Sequence, residues 1–213
     1  MSGPSGAGAP VLFVVGMSRE AKILGSGRRV LVGTAGLDVA LQERPAAVVS
    51  FGLCGGLDPA LGIGELVVGT AVVIEGVTYP GDPALCERLA AIVSAAALGP
   101  VAGSTVIAAG PAEKEKLRAA TGAIAVDMES HVVAAAAASA GIPFAVLRAV
   151  SDRADDALPN AAQAGFRPDG QVDVMAVIAS LARQPSELPA LLRTARHAGK
   201  AFAALEAAAR QLG

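Results

Sequence analysis

Val126-Asp127-Met128-Glu129-Ser130 opens the stretch on which the reading of this chain turns. An Ala-rich run follows, dense enough in small residues to form only a close-packed helix, and it stops at Gly141-Ile142-Pro143. Phe144-Ala145-Val146-Leu147 is then a continuous apolar run of the kind that forms a strand buried on both faces. Arg148-Ala149-Val150-Ser151-Asp152 completes the stretch. Its order is carboxylate, helix, buried strand, carboxylate. Acids at the ends of buried elements are costly to keep without a partner or a task.

Outward from this stretch the same alternation continues. Strands are expected over 11–15, 30–32, 46–51, 66–68, 71–75, 101–108, 124–126 and 144–150. Helices are expected over 19–24 (helix or turn), 38–43, 83–97, 112–120, 129–140 and 172–181, with one or two more over 188–211. Asp82 reads as an N-cap with Pro83 at the first helical position. The helix over 112–120 carries Lys and Glu on what reads as its wet face. The pattern predicts an α/β fold: one domain over 11–213, a three-layer sandwich with a central mixed, mostly parallel sheet flanked by helices. Residues 1–10 read as a loose N-terminal tail without the charged start of a signal peptide. The segment 155–170, rich in Ala, Pro, Asn and Gly, reads as a long surface loop, a type often used for binding.

Composition narrows the classes. The chain has 213 residues, 53% of them hydrophobic, a mean hydropathy of +0.54 and only 3% aromatic. The apolar excess is Ala and Val, which suits tight helix-on-sheet packing, and no run reaches the roughly 18 apolar residues of a membrane span. A net charge of −2 and the absence of a basic stripe with interleaved aromatics give no case for nucleic acid. Cys54 and Cys86 are too few for a disulfide framework, read as small buried side chains, and suit a cytoplasmic protein. His131 and His197 have no ligand-spaced partners, so no metal is expected. A Gly-x-Ser-x-Gly elbow is missing, which argues against a serine hydrolase.

Gly52-Leu53-Cys54-Gly55-Gly56 follows an apolar strand directly, and its glycines let backbone approach a ligand. The order is neither a dinucleotide fingerprint nor a phosphate loop. Asp127, Glu129 and Asp152 each fall at the end of an expected strand, where open α/β sheets bind ligands. Asp127 and Glu129 share a side if the segment is extended; if the chain turns there, Met128 lies against a ligand instead. Glu20 follows the first strand closely enough to reach the same edge. Taken singly, each acid also reads as a helix cap or surface ion pair.

Met17-Ser18-Arg19-Glu20, Ser50-Phe51-Gly52-Leu53-Cys54-Gly55-Gly56-Leu57, Gly103-Ser104-Thr105-Val106-Ile107, Val126-Asp127-Met128-Glu129 and Arg148-Ala149-Val150-Ser151-Asp152 come in an order that resembles the purine nucleoside phosphorylase and methylthioadenosine/S-adenosylhomocysteine nucleosidase superfamily. The resemblance spans about 11 to 155. More narrowly, Phe51-Gly52 to Asp58-Pro59-Ala60-Leu61, Asp127-Met128-Glu129-Ser130-His131, and Arg167-Pro168-Asp169-Gly170-Gln171-Val172-Asp173 resemble the hopanoid-associated phosphorylase branch, which cleaves adenosylhopane. The superfamily resemblance implies that Asp152 protonates or hydrogen-bonds purine N7, that Glu129 binds ribose hydroxyls, and that Glu20, as in the nucleosidases, orients and activates a water. It further implies substrate contacts from Met128, Asp127, Ser151, Val106, Ile107 and Gly55. No cofactor is implied, phosphate being a co-substrate if the reaction is phosphorolytic, with Arg19, Arg28 and Arg148 available to hold it. Asp127 stands where many relatives carry Glu, and the region 21–46 is shorter than in the nucleosidases. The expected partner is a small-molecule nucleoside, lipid-linked in the hopanoid branch, and a homo-oligomer is expected. Resting of the 188–212 helix on the inner face of a membrane is an alternative to its packing on its own core. The competing readings are a lipid-pathway enzyme, an enzyme of soluble nucleosides such as methylthioadenosine, S-adenosylhomocysteine or inosine, and a non-catalytic nucleoside-binding protein.

Overall fold

The computed structural model describes residues 9–93, 95–165 and 173–212. Residues 1–8 of the expected tail, and 166–172 with most of the Arg167–Asp173 motif, lie outside them. Among the described residues, eight strands form one sheet: β1 (Leu12–Val15), β2 (Arg29–Val32), β3 (Val48–Gly56), β4 (Leu66–Ile74), β5 (Val77–Pro80), β6 (Ala97–Gly103), β7 (Ala125–Asp127) and β8 (Phe144–Asp152). Between them run α1 (Ser18–Leu24), α2 (Leu37–Gln42), α3 (Pro83–Ile92), α4 (Pro111–Thr121) and α5 (Ser130–Ala140). After β8 come α6 (Asn160–Ala164), α7 (Val174–Arg183), a 3₁₀ turn at Pro185–Glu187, and α8 (Leu188–Gln211).

The sheet is mixed, as expected, and partly closed. β3 pairs in parallel with β1 and β8, and β8 runs antiparallel to β4. β4 pairs in parallel with β6, β6 with β7, and β7 returns antiparallel to β3. Five strands therefore form a ring, with β1 and β2 as a wing on one side and β5 on the other. Helices cover both faces. On one, Phe13, Phe51, Leu147 and Ala149 pack against Leu85 and Leu89 of α3 and Phe202 and Leu205 of α8. On the other, Val14, Val48, Val146 and Val150 pack against Val133, Ala134 and Ala137 of α5. The alanines of α5 let it lie close on β3 and β8, which brings its first turn to the ends of those strands.

Several expected boundaries move. The glycine segment 52–56 is the second half of β3, not a loop, because β8 on one side and β7 on the other both bond to it. The two strands expected over 66–75 are one continuous β4. β6 ends at Gly103, so Val106 and Ile107 lie in the turn beyond it. The segment 155–170 is not a plain loop, since α6 forms within it. α8 is one helix whose second half buries Ala201, Phe202, Leu205 and Ala208 in the core, while Leu188 and Leu192 in its first half stay exposed. Among the described residues, no helix is long and apolar enough to cross a membrane.

Candidate active site

Arg148 is the hub of the first group of polar residues. It is 1% exposed, and its Nη2 forms an ion pair with Asp127 Oδ2. The same nitrogen lies 2.8 Å from Ser50 Oγ, 3.2 Å from Ser130 Oγ and 3.5 Å from Glu129 Oε2. Nη1 donates to Leu53 O at 3.2 Å. Asp127 ends β7 and also caps α5, accepting from Ser130 N at 3.2 Å and from Ser130 Oγ at 2.5 Å. Both its oxygens are thereby committed to protein groups, although the resemblance implied a substrate contact. Glu129 sits at the N-cap position of α5, where the chain turns, and its side chain is 32% exposed. The turn leaves Met128 40% exposed.

Glu20, in the first turn of α1, joins this group from the opposite side. It is 1% exposed; Oε2 accepts from Met17 N and Oε1 from Leu53 N, each at 2.9 Å. These bonds reach across the second half of β3, and only a glycine there permits them. A Cβ at Gly52 would collide with Glu20 Oε1 and lie 2.6 Å from Arg148 Nη1. Burial pushes the Glu20 carboxyl above its ordinary range, against the downward pull of Arg148 and of the Leu53 and Met17 amides. Burial likewise raises Glu129, with Arg148 opposing and Asp127 adding to the rise. For Arg148, burial works against the charge, but Asp127, Glu129 and Glu20 outweigh it and keep the guanidinium firmly protonated.

Asp152 belongs to a second group. The β3–β8 register runs Gly52↔Arg148, Leu53↔Ala149, Cys54↔Val150 and then Gly55↔Asp152, so Ser151 is the extra residue of a bulge. Without the bulge, Arg148 and Asp152 would point to one face. With it, Asp152 turns to the face covered by α4. There Asp152 Oδ1 forms an ion pair with Nζ of Lys114, which is 0% exposed. Asp152 Oδ2 lies 2.9 Å from Ser151 Oγ, and that hydroxyl is also 3.1 Å from Cys54 O. A Cβ at Gly55 would be 3.1 Å from Asp152 Oδ1, so this glycine too makes room for an acid.

The expected residues thus fall into two groups along one strand. Glu20, Asp127 and Glu129 meet at Arg148 beside Gly52, and Asp152 and Ser151 sit beside Gly55. Gly52 and Gly55 are three steps of β3 apart, roughly 10 Å at about 3.3 Å per residue, and their Cβ directions fall on opposite faces of the strand. Val106 is 68% exposed, in a turn held by Ser104 Oγ, which donates to Val106 O at 2.6 Å. His131 packs over Gly103, with its Nδ1 buried and unpartnered among the described residues. The three arginines suggested for phosphate are otherwise engaged. Arg19 lies 4.0 Å over the Phe202 ring, Arg28 donates to Leu24 O and Ala209 O, and Arg148 holds the acids. Ser50, Ser130 and Lys114 were not singled out from the sequence. Lys114 in particular is buried, where the sequence placed it on the wet face of its helix. Depressions elsewhere, one lined by Pro80, Asp82, Ile142 and Phe144 and another by Ala21, Lys22 and Arg28, include none of the candidate acids.

The fold is similar to several solved nucleosidases. A Streptococcus pyogenes S-adenosylhomocysteine nucleosidase in complex with 5-methylthiotubericidin matches with a TM-score of 0.63 and 18% identity over 94% of this chain and 98% of that one. A mutant Helicobacter pylori methylthioadenosine/S-adenosylhomocysteine nucleosidase with 5′-methylthioadenosine in its active site gives 0.65 and 17% over 94% and 98%. The futalosine hydrolase of Helicobacter pylori gives 0.58 and 18% over 69% and 89%. At these identities the likeness establishes the fold. No curated protein matches the sequence. The family model of the Phosphorylase superfamily matches residues 13–205, nearly the whole chain and both acid groups, and the chain belongs to that superfamily.

Proposed function

We propose that the chain cleaves the N-glycosidic bond of an adenine nucleoside by hydrolysis, releasing adenine. Membership of the superfamily supports a glycosylase-type enzyme. The observation that carries the finer reading is the placement of Glu20 and Asp152 against Gly52 and Gly55 of one strand, with a third-exposed Glu129 on the Glu20 side. A nucleoside seated beside Phe51–Cys54, the stretch of β3 between its pairing with β1 and its pairing with β7, reaches both faces of the strand, with its base on the Asp152 side and its sugar on the Glu129 side.

As the C1′–N9 bond breaks, its electron pair goes to the base, and Asp152 Oδ2 gives N7 a proton so that the base leaves neutral. Ser151 Oγ, one bond from Oδ2, orients that oxygen. Water adds to C1′ and loses a proton to Glu20, which burial makes more basic than an ordinary carboxylate. Glu129 accepts from the ribose hydroxyls and, with Glu20, offsets the positive charge that develops on the sugar. Asp127 acts through Arg148, holding the guanidinium that orients Glu129. Met128 packs on the sugar, and Val106 and Ile107 border the base. Water is favoured over phosphate because Arg19, Arg28 and Arg148 are all engaged within the protein.

For the substrate, we favour adenosylhopane, on the residues shared with the hopanoid-associated branch. The exposed apolar side chains of Val106 and Met128, together with Val174, Met175 and Ile178 of α7, suit a lipid-tailed nucleoside. Methylthioadenosine is the second reading, favoured by the solved nucleosidases of the same fold. Adenine release from both compounds, with and without phosphate, tests the proposal. A higher kcat/KM for methylthioadenosine than for the hopanoid nucleoside would end the lipid assignment, and strict dependence on phosphate would end the hydrolytic one.

A further inference from the structure

Lys114 is a fully buried cation that the mechanism above leaves without a role. All three of its ammonium hydrogens are used: it pairs with Asp152 Oδ1 and donates to Arg153 O at 2.5 Å and Asp156 O at 3.1 Å. It rises from the first turn of α4, where its own N–H donates to Gly110 O at 3.1 Å, so its backbone is fixed as well. Leu117 lies one turn further along the same face, packed beside Ala102, Ala123 and Val126. A lysine costs much to bury and is retained where its partners compensate it.

We propose that Lys114 is a positioning residue for the acid that serves the departing base. The inference rests on the functional reading given above. By occupying Oδ1, the ammonium leaves Oδ2 as the one oxygen that can meet the base, and Ser151 Oγ lines up on that oxygen. Lys114 also compensates the negative charge that appears on Asp152 when its proton passes to N7. The proton then moves to a base that would otherwise leave as an anion, and the charge left behind is already paired. The two carbonyl bonds extend the effect along the chain. Residues 153–158 are pinned beside Asp152, and Leu158 N donates to Ala109 O at 2.8 Å, next to the turn carrying Val106 and Ile107. One cation thereby fixes the acid and the strap that borders the base.

Among the described residues, few other charges face this pair. Arg153 is exposed and paired with Asp155 at 2.8 Å; Asp156 accepts from Arg153 N at 2.9 Å and lies 3.5 Å from His197 Nδ1 of α8. From β3 the neighbours are Gly55 and the buried Cys54. Among the described residues, Lys114 is thus the cation in direct contact with Asp152.

The test is a double-variant cycle on the full chain. Lys114→Gln keeps a hydrogen-bond donor and removes the charge; Lys114→Met removes both. Each should lower kcat for methylthioadenosine, Met by about a hundredfold, the scale of a general-acid contribution, with KM within about threefold. Combining Lys114→Gln with Asp152→Asn should cost no more than Asp152→Asn alone, because the lysine acts through that acid. Calorimetric titration with adenine gives the same comparison without turnover. Lys114→Gln should weaken binding by about tenfold or more when Asp152 is intact, and leave it unchanged when added to the Asp152→Asn variant. Additive losses, or a Lys114→Gln protein that folds, binds adenine as tightly as wild type and keeps its kcat, overturn the inference alone. A wild-type protein that neither binds adenine nor releases it overturns the functional reading and this inference with it.

Discussion

Replacing Arg148 by Met is the perturbation with the largest effect that the structure specifies. The guanidinium is 1% exposed and is shared by Asp127, Glu129, Ser50 and Ser130, with Glu20 close enough to feel its charge. Met has similar length and no charge, so the loss is electrostatic more than steric. Removing one partner of a buried ion pair costs about 3–5 kcal/mol, since the other charge stays buried and unpaired. For a domain of this size that corresponds to a fall in Tm of roughly 6–20 °C, at about 2–4 °C per kcal/mol. The loss should depend on pH with a definite sign. Glu20 and Glu129 already have carboxyls raised by burial, and Arg148 pulls both down. Without it both rise further, so the folded state binds protons that the unfolded state has released. Stability is then lost as pH rises from the ordinary carboxylate value through the raised one, and it is recovered on acidification. Urea unfolding of wild type and Arg148→Met at pH 7 and pH 5, followed by far-UV circular dichroism, measures this. The gap between the proteins should be smaller at pH 5. A gap below about 1 kcal/mol at pH 7, or one that widens on acidification, would refute the assignment of Arg148 as the charge that holds the acids.

Three further outcomes follow from the same geometry. Asp152→Asn should cut kcat by at least about a hundredfold while nucleoside still binds, measured by adenine release and calorimetry. Glu20→Gln should lower kcat by a similar factor with little change in KM, and it should erase the acid limb of the kcat/KM profile; in wild type that limb lies above the ordinary carboxylate range, because Glu20 must be ionised and burial raises it. Gly52→Ala should destabilise by about 1–3 kcal/mol or more, since its methyl meets Glu20 and Arg148, whereas Gly27→Ala, with no atom within 4 Å of the new Cβ, should be close to neutral in the same urea titration.

The sheet was legible wherever a strand is an unbroken apolar run. β1 and the runs Phe144–Leu147 of β8 and Val48-Val49 of β3 have both faces covered, so their sequences are continuously apolar. β4 reads as two strands because Gly69-Thr70 looks like a stop; the strand continues because a Cβ at Gly69 would meet Val146 and Val101, and the glycine is there to let β8 and β6 close in. β5 was missed although Glu75 and Gly76 both have positive φ, 48° and 79°, and make the tight turn of a hairpin. In the site, Glu20, Asp127, Glu129 and Asp152 were legible because acids beside apolar strands are conspicuous. The bulge at Ser151 was not, and it is what sends Asp152 to α4 and away from Arg148. Lys114 sits among Glu113, Glu115 and Lys116 and reads as part of a solvated face. The one available signal is its spacing of three from Leu117, which puts both on the side of the helix that meets the sheet.

A crystal structure with adenine bound tests the central claim most directly. The account predicts the base against Gly55 and the turn at Val106, with N7 about 3 Å from Asp152 Oδ2, its N9 edge directed along β3 towards Glu129 and Glu20, and Lys114 still on Oδ1. Adenine seated away from Asp152, or Asp152 and Glu129 opening onto separate surfaces with no single nucleoside able to span them, would contradict it.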